Sequence, residues 1–98
     1  MTYVSFWLEA ISSEGRHLKH DLPDPSNGSI GPYDLKAWAN REGLEIDYID
    51  NCYLKVPVER SKLSAYLVEL YGPDDPFPAV ALAVLGPEWK FVIAAEEF

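Results

Sequence analysis

LEIDYIDNCYLKV, residues 44–56, predicts a β-hairpin, and the rest of the architecture follows from where that hairpin lies. A loop of three residues, Ile49-Asp50-Asn51, separates aliphatic from acidic side chains, whereas the two-residue loop Asp50-Asn51 would mix acids with core residues. Asn51 then takes the left-handed position that such a loop needs. The inward pairs are Leu44 with Val56, Ile46 with Leu54 and Tyr48 with Cys52, and the outward pairs are Glu45 with Lys55 and Asp47 with Tyr53.

A helix is predicted on each side of this hairpin. The first begins at Pro32, which suits an opening turn, and ends at Gly43, which suits a left-handed cap. The second ends at Gly72. Each helix carries one apolar stripe: Leu35, Trp38 and Ala39 in the first, and Leu63, Tyr66, Leu67 and Leu70 in the second.

Strands are predicted near both ends of the chain. Residues 2–11 alternate apolar and polar as a half-buried strand does, and residues 16–22 are a possible second strand. Near the other end, residues 79–85 and 90–95 predict a second hairpin through the loop 86–89. Its expected pairs are Val84 with Phe91, Leu82 with Ile93 and Val80 with Ala95 on one face, and Ala83 with Val92 and Ala81 with Ala94 on the other.

These elements predict one α+β domain over residues 1–98, with a long loop at about 13–31. The expected architecture is a two-layer sandwich, in which two helices lie on one face of a mostly antiparallel sheet. The order of strands and helices favours a ferredoxin-like variant with an extra strand or hairpin.

The charge balance limits the partners. Sixteen acidic against eight basic residues give a formal net charge of −8, which repels the phosphates of nucleic acid. The same charge attracts a basic protein, or lets the domain imitate a polyanion. Because Cys52 is the only cysteine, no intrachain disulfide is expected, and we expect a cytoplasmic protein with neither export nor membrane insertion.

No residue pattern predicts catalysis, a cofactor or a metal. His17, His20, Asp21 and Asp24 resemble a ligand cluster, but the two histidines of an extended segment point to opposite faces. Cys52 is expected in the core as a small apolar side chain. Glu45 and Asp47 project from one strand face about 6.5–7 Å apart, a spacing that any exposed acidic strand shares.

The leading hypothesis is therefore an acidic, non-enzymatic inhibitor, such as a bacterial immunity or antitoxin protein that occludes the site of a basic toxin or nuclease domain. Acids steer the partner and aromatic residues anchor it. The expected steering residues are Glu42, Glu45, Asp47 and Asp50, and the expected anchors are Tyr53, Trp7 and Tyr48, with Tyr3 and Trp7 on the solvent side of the first strand.

Three alternatives remain open. The first is a small metal- or ligand-binding enzyme with its site in the 13–31 loop, using His17, His20, Asp21 and Asp24. The second is a homodimeric structural module, joined through the small-residue face of Ala81, Ala83, Val92 and Ala94. The third is a phage-encoded anti-defence inhibitor that acts as a polyanion mimic.

Overall fold

The computed structural model describes residues 4–23, 25, 31–83, 85 and 89–97. Within these residues the chain forms five strands and three helices. In chain order they are β1 (Val4–Ile11), β2 (His17–Asp21), α1 (Pro32–Glu42), β3 (Asp47–Asp50), β4 (Tyr53–Val58), α2 (Arg60–Tyr71), α3 (Phe77–Ala83) and β5 (Lys90–Glu97). The first strand, the possible second strand, both helices and the first hairpin are confirmed as elements, whereas the second hairpin is wrong.

The alternation of β1 separates the two faces of the sheet, as the sequence predicts. Phe6, Leu8 and Ala10 point to one face and are at most 5% exposed. They join one buried cluster with the apolar stripes of α1 and α2 and with Leu82 of α3. Since successive side chains of a strand alternate, Ser5, Trp7 and Glu9 lie on the opposite face, which no described helix covers. This second face is called the open face below.

All strand pairs are antiparallel, and the strand order is β2-β1-β5-β4-β3. The α+β class, the antiparallel sheet and the placement of the helices on one face are therefore confirmed. The ferredoxin-like detail is not confirmed. In that arrangement each helix links two parallel strands, whereas here β4 and β5 flank α2 and α3 and are adjacent antiparallel neighbours.

The apolar run at residues 79–85 is helical at residues 79–83, so the prediction of a strand is wrong. Alanine is the best helix former, and the carboxylate of Asp75 accepts a hydrogen bond from the Phe77 N–H at 2.8 Å, which starts the helix. Buried residues recur in α3 at helical spacing, at Pro78, Ala81 and Leu82. Residue 84 and residues 86–88 of the expected hairpin lie outside the described residues.

Arg60 stabilises the end of α3. Its Nη2 donates to the Leu82 carbonyl at 2.8 Å, and its Nη1 donates to the Leu85 carbonyl at 2.9 Å. The last carbonyls of a helix have no partner within it and carry partial negative charge, so a guanidinium there is favourable. This long-range contact ties the start of α2 to α3.

Because residues 77–83 form α3 and not a strand, β5 lies at the centre of the sheet between β1 and β4. Phe91, Ile93 and Ala95 point into the core and are at most 2% exposed. Ala94 points to the open face, where Trp7 is its partner on β1 and Lys55 its partner on β4. The small-residue face expected for a homodimer does not exist as composed, because Ala81 and Ala83 lie on α3.

The β3–β4 hairpin has the predicted parity but a different register. Asp47 opposes Lys55, Tyr48 opposes Leu54, and Asp50 opposes Tyr53, with a bulge between Tyr48 and Asp50. The turn occupies residues 51–52, so the predicted three-residue loop is wrong. The predicted partner of Asp47 is Tyr53, and its observed partner is Lys55, two residues further along β4. A shift of two residues preserves the face of each side chain, so Asp47 remains on the predicted outward face.

The tighter turn also changes the position of Cys52. Its thiol is exposed rather than buried in the core, and its backbone N–H donates to Oδ1 of Asp50 at 2.7 Å. An Asp carboxylate that accepts a hydrogen bond from the backbone N–H two residues ahead stabilises a turn in which no residue is left-handed. Among the described residues only glycines have positive φ, so the left-handed conformation expected for Asn51 is wrong.

Both predicted helices end at the glycines that the sequence predicts, Gly43 for α1 and Gly72 for α2. Gly43 has φ 69° and ψ 28°, its N–H bonds to the Asn40 carbonyl, and the Leu44 N–H bonds to the Ala39 carbonyl. This paired closure is the Schellman motif. It sends the chain from α1 toward β3, with Leu44 and Ile46 packed against the core.

Candidate functional site

A cluster of aromatic and charged side chains occupies the open face, and we call it the open-face cluster: Trp7, Glu9, Lys19, Tyr53 and Lys55. The Trp7 indole N–H donates to Oε2 of Glu9 at 2.9 Å, and Nζ of Lys55 lies 3.0 Å from the same oxygen. The Trp7 and Tyr53 rings meet edge to face, with centroids 5.6 Å apart. Nζ of Lys19, from β2, lies 4.5 Å from the centroid of the Trp7 ring.

These contacts nearly enclose Trp7. The residue is on the face that the sequence predicts, but it is only 5% exposed. Tyr53 is half-buried beside it. Trp7 and Tyr53, two of the three rings proposed as anchors, therefore already have partners within the chain, and a partner protein can reach little of the Trp7 ring.

The open-face cluster also shifts the pKa of Glu9. Burial alone would raise this pKa, but the hydrogen bonds from Trp7 and Lys55, with the charges of Lys55 and Lys19, hold it below its usual value. The hydrogen bond with Glu9 raises the pKa of Lys55 in turn. Both groups are charged near neutral pH, and the cluster is electrostatically satisfied.

A different arrangement surrounds β3, at one edge of the sheet. All four residues of β3 are exposed, and Tyr48 and Ile49 are 55% and 50% exposed. Tyr33, in the first turn of α1, is 82% exposed. We call these neighbouring residues, with the acids of the strand, the β3 edge surface: Tyr33, Asp47, Tyr48, Ile49 and Asp50.

A pocket of about 430 Å³ lies in this surface, between the start of α1 and the β3–β4 hairpin. Its apolar walls come from Pro32 and Leu54, and Nζ of Lys36 lies 5.8 Å from the centroid of the Tyr48 ring. The remaining lining residues are Tyr33 and Asn51. Strand β3 contributes Tyr48 to the lining of this pocket.

The structure divides the predicted partner-binding residues into groups. Asp47, Tyr48 and Asp50 lie on β3, and Glu45 is exposed just before it. Trp7 and Tyr53 belong to the open-face cluster. Glu42 is half-buried at the end of α1, where its Oε2 lies 3.9 Å from Nζ of Lys62. The β3 edge surface and the open-face cluster meet along the hairpin, where Asp47 opposes Lys55.

Sequence reasoning missed Tyr33, Lys36 and Ile49 as surface residues. The helical periodicity of α1 did contain a signal, because Tyr33 and Lys36 lie off the apolar stripe of Leu35, Trp38 and Ala39. An aromatic residue outside a buried stripe is an indication of an exposed ring. Ile49 has no such signal, because the sequence predicts it in the loop of the hairpin.

The histidines of the predicted ligand cluster lie on strand β2. By the register with β1, His17 and Asp21 face the open side and His20 faces the helices, as expected for an extended segment. The His20 ring stacks on Phe77, with centroids 6.1 Å apart. Asp24 lies outside the described residues. No group of three or more potential metal ligands converges within the residues that the structure describes.

A second pocket, of about 440 Å³, lies at the other end of β4. Leu44, Pro57 and Trp89 supply apolar surface, and Lys62 and Lys90 stand among its lining residues. Glu59 also lines this pocket, and Nζ of Lys62 lies 3.9 Å from Oε2 of Glu42, so the charges around it are mixed. A basic ligand is therefore attracted less to this pocket than to the acids of β3.

Comparisons with known proteins identify no relative. No protein family matches the chain, and no curated protein or solved structure is significantly similar to it. No helix in the described ranges has the length and apolar character needed to cross a membrane.

Proposed function

We propose that this protein is an acidic, non-catalytic inhibitor that binds a basic protein through the β3 edge surface. The carrying observation is that exposed aromatic and aliphatic side chains stand on an edge strand beside carboxylates that have no ion pair among the described residues. The partner class that this surface fits is a basic toxin or nuclease domain, and the proposed role is that of a bacterial, cytoplasmic immunity or antitoxin protein.

The state of the carboxylates supports this choice of surface. Glu9, Glu42 and Glu69 are each close to a lysine or arginine of the chain. By contrast, Glu45, Asp47 and Asp50 have no ion pair within the part of the chain that the structure describes. Unpaired carboxylates keep their full attraction for a basic partner, and a net charge of −8 extends that attraction over a longer range.

The proposed mechanism separates steering from anchoring. Glu45, Asp47 and Asp50 raise the rate at which a basic surface meets the β3 edge. Tyr33, Tyr48 and Ile49 then lose exposed apolar area in the complex, which slows dissociation. Inhibition follows when the acids and tyrosines cover a basic active site and exclude its substrate.

Charge reversal at the start of β3 and at Glu45, just before it, tests this function. In a pull-down from the native host, we expect the wild-type chain to retain a basic protein that Glu45→Lys with Asp47→Lys no longer retains. Against that purified partner, the association rate constant should fall about tenfold or more and lose part of its salt dependence. Thermal unfolding should be nearly unchanged, because both carboxylates are exposed.

The matched control is Glu14→Lys with Asp74→Lys, which changes the net charge by the same amount. Glu14 lies in the β1–β2 turn and Asp74 lies between α2 and α3, and both are exposed. The control variant should retain the partner. If the Glu45 and Asp47 variant keeps the same partners at the same rates, the proposed function is wrong.

A further inference from the structure

We propose that β3 binds an extended basic segment of the partner as a sixth strand of the sheet. This inference rests on the proposed function and specifies how the partner is recognised. The segment carries lysine or arginine at alternate positions, with an apolar or aromatic side chain between them.

No described strand covers the outer backbone edge of β3. β3 is the last strand in the sheet order and pairs only with β4, so its outer edge has no strand partner among the described residues. An edge strand presents unpaired N–H and C=O groups, which can pair with a segment of another chain. The four residues of β3 are all exposed.

The other edge of the sheet, β2, is less suited to this role. Lys19 turns inward over the Trp7 ring, and His20 stacks on Phe77. Inward-turned charges are one device by which proteins protect an edge strand. The side chains of Asp47 and Ile49 make no comparable contact within the described residues.

The bulge in β3 produces the acidic pattern that selects a basic segment. Without it, Asp47 and Asp50 would lie on opposite faces, since they are separated by an odd number of positions. The bulge lies between Tyr48 and Asp50. As a result Asp47 opposes Lys55 and Asp50 opposes Tyr53, and both of these β4 residues face the open side. Two carboxylates therefore stand on one face of the edge strand, and Tyr48 stands on the other.

A strand added beside β3 would meet this pattern with its own alternation. Side chains two positions apart in the added strand lie about 6.5–7 Å apart on one face. Lysines or arginines at these positions would oppose Asp47 and Asp50, and such cross-strand opposite charges stabilise a sheet. This charge complementarity favours a basic occupant over a second copy of the acidic chain.

The pocket receives the intervening side chain. Tyr48 points to the helix side of the sheet, where it lines the pocket of about 430 Å³ with Tyr33 and Lys36. The intervening residue of a bound strand points to this same side. An apolar or aromatic side chain there would pack against the exposed rings, and tyrosine pairs of this kind are frequent hot spots.

The test uses a defined probe, the acetylated and amidated peptide KVKYKVK. We expect it to slow hydrogen exchange of backbone amides in β3 about tenfold or more and to shift the NMR signals of Tyr33 and Tyr48. The matched probe has the same sequence with an N-methyl group on every backbone nitrogen. It keeps the charge and the side chains but has no backbone N–H on either edge to donate to β3, so its affinity should be roughly tenfold lower or worse.

A protein variant tests the charge pattern. Asp47→Asn with Asp50→Asn removes both charges and keeps an oxygen that can accept the Cys52 N–H in the turn. We expect this variant to bind KVKYKVK roughly tenfold more weakly, with β3 intact in its NMR spectrum.

Strand addition is overturned if both peptides bind equally well, if no β3 amide is protected, or if the NMR shifts map to β2 or to the pocket lined by Lys62 and Lys90. Each of these results leaves the proposed function standing when charge reversal still releases the partner. Conversely, protection of β3 by the peptide, with partner binding indifferent to charge reversal, preserves this site and removes the proposed function.

Discussion

Trp7 in the open-face cluster and Tyr48 in the β3 edge surface have similar neighbours but opposite environments. Each is an aromatic residue near a lysine and an acid. Trp7 is 5% exposed, whereas Tyr48 is 55% exposed. Among the described residues, β1 has a neighbouring strand on both sides and β3 has one neighbour. Groups from β2, β4 and β1 itself can therefore close over Trp7. Position in the sheet therefore separates a folding residue from a candidate binding residue.

The difference extends to the charges. In the open-face cluster, Glu9 is bonded to both the indole N–H and Lys55, so its charge is satisfied within the chain. At β3, Asp47 lies opposite Lys55 in the ladder, but the ammonium of that lysine lies with Glu9. The ion pair that completes one region leaves the other with an unpaired carboxylate.

The largest expected effect is that of Trp7→Ala. Removing the nearly enclosed indole leaves a cavity under Lys19. Glu9 loses the hydrogen bond from the indole N–H, and Tyr53 loses its edge-to-face ring contact. The free energy of unfolding should fall by about 3–5 kcal/mol. Urea denaturation followed by far-UV circular dichroism measures it, and a loss below about 1 kcal/mol would show that the open-face cluster contributes little to folding.

Glu9→Gln is expected to have an intermediate effect. It weakens the contacts with Trp7 and Lys55 and should cost about 1 kcal/mol near neutral pH, since the pair is partly exposed. Because folding lowers the pKa of Glu9 from 4.5, its stabilisation is present above about pH 4.5 and is lost as the pH falls through the lower, folded value.

The pH dependence separates this charge effect from a loss of packing. Between pH 7 and pH 3, the wild-type chain should lose more unfolding free energy than the Glu9→Gln variant. A difference in stability that stays constant across this range would indicate that the carboxylate charge has no role in the cluster.

Tyr48→Ala should have the smallest effect on folding. Over half of its surface is exposed, so the free energy of unfolding should change by less than about 0.5 kcal/mol, while the affinity for a basic partner falls. Denaturation of this variant alongside Trp7→Ala gives the direct comparison. A cost above about 1 kcal/mol would place Tyr48 with the folding residues and weaken its proposed role as an anchor.

The unequal success of the sequence predictions has a physical basis. The period of α1 and α2, the alternation of β1 and the closing turn at Gly43 are local properties, and all were predictable. The apolar run before β5 was not, because a continuous apolar run has no period that distinguishes a strand from a helix. Its helix depends on a cap from Asp75 and on the distant Arg60.

The hairpin shows the limit of a pattern argument most clearly. Alternation correctly predicted that Asp47 faces outward, since a slide of two residues preserves parity. It did not predict the bulge, which brings Asp50 onto the same face, because the Asp50 contact with Cys52 makes a tighter turn than the expected one. Tyr33 and Lys36 entered the site only when α1 packed beside this hairpin.

By itself, the sequence determined that this chain is an acidic α+β protein with two amphipathic helices, a half-buried first strand and a hairpin with outward acids. Only the tertiary structure decided that Trp7 is enclosed while Tyr48 remains exposed, and that β3 lies at an edge. The reason is that periodicity records which side of an element is apolar, whereas strand order and enclosure depend on contacts between distant segments. Those contacts form only when all the elements pack together.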